Sequence, residues 1–198
     1  WGTTLNCVMS KFSCEFFENA VDELAYDAAI EFHQGGDMLL ISSQDELELM
    51  DKNIPLQNSL GIESRLLDLD QAKEIIPFLN TEPLVAATFH QKDGHLNPFH
   101  TTQAFANAFK RLGGTILTHT EVTGFQMQGV RVTGAETNRG PISCDPAINA
   151  AGGDTQKLAK LAGGELPAYY ERHHILGAQP QDQVMERTRM RLSPQRIF

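Results

Sequence analysis

The sequence predicts an α/β fold, with α+β character over residues 10–90. Segments with a helical spacing of apolar residues alternate with short apolar runs that suit strands. Glycine and proline clusters separate these segments, as they do at turns. The 198 residues are 41% hydrophobic and 21% charged, so the chain can bury a core and does not have the composition of a disordered protein.

The first elements are a helix and a hairpin. Over Ser10–Leu24, apolar side chains that include Phe12 lie on one broad face, which predicts a helix packed on a core. Such an aromatic face is far more often core than a cofactor site. A hairpin is predicted next, because Ala29–Phe32 and Met38–Ile41 flank two glycines.

Two helix-start signals follow the hairpin. Ser43 has a glutamate three residues later, which predicts a helix that Pro55 ends or kinks. Asp68 has a glutamine three residues later, which predicts a second helix over Asp68–Ile76, stopped by a proline. A strand is predicted over Leu84–Phe89.

The next predicted elements are one helix and three strands. The helix covers Phe99–Leu112, with Pro98 suited to its first position and two glycines to its end. The strands are Thr115–Val122, then about 125–128 and 130–137 in a meander.

The most informative segment runs from Asp145 to Asp154. It predicts a short apolar strand that ends in small residues, followed by a helix from Thr155. Such a turn lets the backbone approach a phosphate closely, and the N–H groups of the first helical turn point at it. The alternative is that these glycines serve packing alone.

The order of the motifs "DGHLNP", "GGTILTHTEV", "VRVTGAETNRGPI" and "INAAGGD" resembles the D-amino-acid oxidase-like flavoprotein family. The nearest likeness is to sarcosine oxidase beta subunits and related amine dehydrogenases, over about residues 12–176. The resemblance implies FAD, with hydride transfer to it from the C–N bond of sarcosine or a related amino or imino acid. It also implies further oxidase or dehydrogenase subunits as partners.

The resemblance implies two interleaved domains, an incomplete Rossmann-like FAD-binding domain and a mixed-sheet substrate domain. Residues 10–90 and 166–198 would belong to the substrate domain, and residues 91–165 to the FAD-binding domain. The family's N-terminal GxGxxG and its C-terminal segment are not in this sequence. We therefore expect an internal fragment of a longer enzyme, inactive by itself.

The resemblance implies which residues would contact FAD. The backbone beside Glu121 and Val122 would meet the adenine edge, and Ala150, Ala151 and Gly152 would line the ribose and pyrophosphate. Small side chains suit that position because the phosphates lie close to the backbone. Asp154 is expected to cap the following helix.

Two further residues have roles only through the resemblance. His100 matches a histidine that can carry a covalently linked FMN in heterotetrameric sarcosine oxidases; the alternative is a surface or capping residue. Arg172 could bind a substrate carboxylate, or form an ion pair between domains. Only one of His173 and His174 could face a pocket, and no catalytic residue is assigned.

Composition argues against several other classes. The net charge of −9 disfavours a nucleic-acid surface. Three cysteines without CxxC spacing favour neither disulfides nor a metal site and suggest the cytoplasm. No apolar stretch is long enough to span a membrane. The alternative function is a non-catalytic α/β interaction module that keeps the family's sheet without flavin.

Overall fold

The computed structural model describes residues 2–169 and the backbone of residues 189–192. The chain divides into two compact units, one formed by the residues up to Gly114 with strand 189–192, and one that starts at Thr115. The elements, in chain order, are α1 (Thr4–Glu18), α2 (Ala20–Glu23), β1 (Asp37–Ile41), α3 (Gln44–Ser59), β2 (Arg65–Leu67), α4 (Leu69–Ile75), β3 (Ala86–His90), α5 (Pro98–Arg111), β4 (Val122–Gln128), β5 (Arg131–Thr137), β6 (Ile142–Ser143), a 3₁₀ turn (Gly152–Asp154), α6 (Thr155–Leu161) and β7 (Arg189–Leu192).

A mixed sheet in the order β2-β3-β1-β7 organises the first unit. Strand β1 pairs antiparallel with β3, with Met38 opposite Phe89, and parallel with β7. The predicted hairpin is therefore wrong, since Ala29–Phe32 forms no strand and β1 takes its antiparallel partner from much later in the chain. Glu31 has a left-handed φ of 53°, which breaks an extended strand, and Ile30 packs against α5 instead.

Helices cover both faces of this sheet. On one face, Met38, Leu40 and Phe89 pack against Ala72 and Ile76 at and just after α4. On the other face, Ile41 and Ala86 pack against Met50 of α3. The alternation of strand side chains between the two faces places both sets in separate clusters. The predicted strand at Leu84–Phe89 is confirmed as β3, displaced by one or two residues at its ends.

The helix-start signals are mostly confirmed. Asp68 and Gln71 form a full capping box, with Gln71 N donating to Asp68 Oδ1 at 2.8 Å and Asp68 N to Gln71 Oε1 at 3.1 Å. At α3, Ser43 Oγ accepts from Glu46 N, but the Glu46 carboxylate accepts from Ser42 N instead of closing the box. Pro55 does not end α3, which continues through it to Ser59.

The first helix differs from its prediction at both ends. It begins at Thr4 and breaks at Asn19, and a short α2 follows. Phe12 is 67% exposed, while Ala20 and Leu24 form the buried cluster with α5. The predicted apolar face is therefore core only in its second half.

The second unit contains the three-stranded antiparallel sheet β4-β5-β6 and helix α6, which packs on β4. The predicted meander is confirmed as β4 and β5. Two predicted strands are wrong, because only Val122 of 115–122 is in a strand and the run before Ala151 forms none. Ile148 is 89% exposed. An apolar strand of a parallel sheet forms only between flanking strands, and none of the described strands pairs with either run.

Candidate nucleotide-binding site

The bend at Ala151-Gly152 is open. Gly152 has a φ of +54°, and a Cβ built on it would meet no atom within 4 Å. Asp154 N donates to Ala151 O at 3.0 Å, which closes a 3₁₀ turn that leads directly into α6. The glycine therefore supplies a left-handed conformation at a place where the backbone can be approached from outside.

Some backbone amides of this bend donate hydrogen bonds within the chain, and others do not. Ala151 N donates to Asn149 Oδ1 at 3.2 Å, and Asp154 N is used in the 3₁₀ turn. Within residues 2–169, the amides of Gly152 and Gly153 have no hydrogen-bond partner. Two N–H donors thus remain for an external anion, one residue further along than the sequence suggests.

Asn149 is the site residue that sequence reasoning missed. Its Nδ2 donates to Thr155 O at 2.9 Å while its Oδ1 accepts from Ala151 N, so one side chain spans the bend. A hydrogen bond from an asparagine side chain to the backbone N–H two residues later defines an Asx turn. An asparagine just before a glycine-rich bend is the sequence signal that could have predicted it. The side chain holds the bend in shape without any packed core around it.

The expected cap by Asp154 is wrong. Its side chain accepts no hydrogen bond from the first turn of α6. Asp154 has φ −88° and ψ 4°, whereas a capping residue has extended angles. The 3₁₀ turn running into α6 imposes these angles and so removes the capping geometry.

Val122 opens β4 opposite Thr137, and the residue before it links β4 to its neighbours. Glu121 N donates to Asn138 Oδ1 at 3.0 Å, and Glu121 O accepts from Asn138 N at 3.0 Å. The Glu121 carboxylate lies 3.3 Å from Lys157 Nζ of α6. This ion pair joins the start of β4 to the helix that follows the bend.

A second ion pair anchors the chain just before the bend. Arg131 Nε donates to Asp145 Oδ1 at 3.0 Å, and its Nη2 donates to the other carboxylate oxygen. Two parallel N–H···O bonds give this pair a defined geometry. Strand β5 therefore holds the entry to the 145–151 segment.

His100 lies in the first turn of α5, in the first unit. Asn97 caps that helix, since its Oδ1 accepts from Phe99 N at 3.0 Å and from His100 N at 3.2 Å. The ring Nδ1 of His100 lies 3.2 Å from Tyr26 Oη. Arg172, His173 and His174 lie outside the described residues.

No cluster of three or more His, Cys, Asp or Glu side chains between residues 2 and 169 could hold a metal ion. In the same part of the chain, every helix is too short or too polar to cross a membrane.

Residues 6–196 match the model of the family described as DAO, FAD dependent oxidoreductase. Sarcosine oxidase subunit beta from an Arthrobacter species is 31% identical over 160 residues, which cover 78% of this chain and 39% of that protein. A 4-methylaminobutanoate oxidase (formaldehyde-forming) from Paenarthrobacter nicotinovorans is 27% identical over 93% of this chain and 22% of its own length.

Among solved structures, L-proline dehydrogenase from P. horikoshii superposes with a TM-score of 0.73 at 30% identity, covering 82% of this chain and 42% of that one. A glycine oxidase from Geobacillus kaustophilus has a TM-score of 0.71 at 19% identity, which shows the shared fold. The chain thus spans less than half the length of each of these proteins.

Proposed function

The chain belongs to the family of FAD-dependent oxidoreductases, and on that premise we propose that it forms part of an enzyme that oxidises the C–N bond of sarcosine or a related amino or imino acid. The likeness to a sarcosine oxidase subunit and to an L-proline dehydrogenase supports this substrate class. Because the chain spans 39% of the Arthrobacter subunit, the proposed activity is that of the whole protein. The chain alone is expected to be inactive.

The observation that carries the proposal is the open bend at Gly152. Its amide and that of Gly153 donate to diphosphate oxygens, and a left-handed glycine leaves space for them. Ala150 and Ala151 allow a ribose to lie against the backbone because their side chains are small. The main chain at Val122 meets the adenine edge.

The chemistry itself is the cofactor's, since bound flavin accepts a hydride from the carbon next to the amine nitrogen. The chain's own residues bind the cofactor and orient it. Asn149 keeps the two donor amides in place, and the Glu121–Lys157 pair holds α6 beside β4. A pre-formed bend binds without having to order itself first.

Other parts of the proposal rest on the resemblance alone. Arg172 binds the substrate carboxylate, and further subunits associate with the whole protein. The location of the whole protein in the cytoplasm is proposed instead from the three cysteines without CxxC spacing. For His100 the resemblance suggests attachment of FMN, and the alternative is a surface or capping residue.

The test compares Gly152→Ala with Gly163→Ala in the whole protein encoded by the parent gene. Both glycines have positive φ and no atom within 4 Å of a built Cβ, so both variants carry similar backbone strain. Only the Gly152 variant places a methyl group where the diphosphate approaches. We expect it to weaken FAD binding by about tenfold or more, measured by titration of flavin fluorescence.

Two results would overturn the proposal. If the whole protein purifies colourless and binds no added FAD, the interaction module is the better description. If both alanine variants bind FAD equally well, FAD does not lie against this bend.

A further inference from the structure

A hydrogen bond in the first unit joins Tyr26 to His100. Tyr26 Oη lies 3.2 Å from His100 Nδ1, and the two ring centroids are 6.4 Å apart. Both side chains are half-buried. A hydrogen bond in such a partly water-excluded place constrains the imidazole more than it would at the surface.

Backbone structure holds both rings in position. After α2, Tyr26 N donates to Val21 O at 2.9 Å and Ala25 has a φ of +46°, which together form a Schellman motif. On the other side, the Asn97 cap fixes the first turn of α5. The tyrosine and the histidine therefore meet because two helix ends meet.

The contact determines where the proton of a neutral His100 sits. Imidazole carries one proton, and the hydrogen bond made by one nitrogen decides which nitrogen holds it. A phenol O–H is a strong donor, so it favours Nδ1 as the acceptor and leaves the proton on Nε2. Within residues 2–169, no group forms a hydrogen bond with Nε2, and Nε2 is not one of the buried unpartnered atoms.

We propose that Tyr26 is a positioning residue that holds neutral His100 in the Nε2–H tautomer. His100 then presents an N–H donor to an oxygen acceptor of a ligand, such as a carboxylate or a carbonyl. In this tautomer the Nε2 lone pair belongs to the aromatic π system and is not available for attack, so we expect no covalent bond between Nε2 and flavin. The inference concerns a residue of the proposed function, but its first test needs no flavin.

The test is an NMR measurement on the full chain labelled with ¹⁵N-histidine, at a pH at which imidazole is neutral. We expect the His100 signals to show a protonated Nε2 and an unprotonated Nδ1. Tyr26→Phe removes the donor and should shift His100 towards a mixture of both tautomers. Tyr169→Phe, which changes an 85% exposed tyrosine, should leave His100 as it is, and the signals of His119 should not move in either variant.

A proton on Nδ1 of the unaltered chain would overturn the proposal, and so would identical His100 tautomers with and without the Tyr26 hydroxyl. The spectrum of the unaltered chain decides the first point even if Tyr26→Phe fails to fold.

A second measurement addresses the covalent bond. The whole protein is incubated with FMN and analysed by mass spectrometry after denaturation. We expect no flavin on the peptide that contains His100, and an adduct on that residue would overturn the proposal. Failure to bind FAD, which would defeat the proposed function, leaves the tautomer result unchanged.

Discussion

At the scale of residues, asparagine side chains organise much of the local structure. Asn97 caps α5, the Asn138 side chain accepts a hydrogen bond from Glu121 N, and Asn149 spans the bend before α6. In each case a short amide side chain satisfies backbone groups that no strand or helix uses. Ala151 and His100, two site residues suggested by the family, donate their backbone N–H groups to Asn149 and Asn97, so their positions depend on these asparagines.

Cys14 provides a prediction at the same scale. Burial raises the pKa of its thiol most, and the negative charges of Asp93, Glu18 and Glu15 raise it further. Because a raised pKa lowers the thiolate fraction, alkylation should be slow at neutral pH and rise only in more alkaline solution. Asp93→Asn removes one negative charge, so we expect a faster reaction at each pH, by less than about tenfold because burial remains.

The measurement is the rate of iodoacetamide labelling against pH, followed by mass spectrometry. Asp154→Asn, in the second unit, is the matched control and should leave the rate at Cys14 unaltered. An unchanged rate in Asp93→Asn would show that Asp93 does not influence this thiol.

At the scale of elements, helix α4 has both partners of its capping box and begins where the sequence indicates. The Asp68–Gln71 box starts α4, which then brings Ala72 to the sheet. Strand pairing was predicted less well from the sequence. Strand β1 does not form a hairpin across the glycine pair before it but pairs with β3. A cap is satisfied by atoms a few residues away, while a strand needs a partner that the local sequence does not identify.

Asp68→Ala tests the contribution of the capping box. The substitution removes an acceptor for Gln71 N and the reciprocal geometry, so we expect the free energy of unfolding to fall by about 1 kcal/mol. Asp70→Ala is the control, because Asp70 lies in the same turn without a capping role. In denaturant titrations, Asp70→Ala should lower the free energy of unfolding by less than Asp68→Ala does. Equal decreases in the two variants would contradict the capping argument.

At the scale of the whole molecule, the described residues combine a buried core in the first unit with exposed apolar side chains in both units. Among the described residues, Leu5, Met9 and Phe12 lie one turn or so apart on α1, and each is more than half exposed. Apolar stripes of this kind promote association. We therefore expect the isolated chain to self-associate as its concentration rises.

Replacing Leu5, Met9 and Phe12 together by Gln should reduce that association, measured by light scattering over a concentration series. Gln keeps the helix propensity and the charge, so only the apolar surface changes. The control replaces Leu112, Val130 and Ile148, three exposed apolar residues that are scattered over both units. An isolated chain that stays monomeric, or an equal effect of both triple variants, would contradict the argument.

From the sequence alone follow the α/β class, the family, the helix cap at Asp68 and the glycine at the bend. These features depend on atoms within a few residues of each other or on the order of motifs, and both are visible in a sequence. The two wrong strand predictions in the second unit share one cause. The strands expected at Thr115–Val122 and before Ala151 are apolar enough to pair, but pairing needs neighbours that a local pattern cannot supply.

Tertiary structure alone reveals the partner of β1, the contact between Tyr26 and His100, and the two bend amides that bind no other group of residues 2–169. Each depends on two segments meeting across a long stretch of chain, or on which donor is already used by a neighbour. The stability of such contacts comes from packing and strand pairing between distant segments. The same local sequence can therefore adopt different structures in different surroundings.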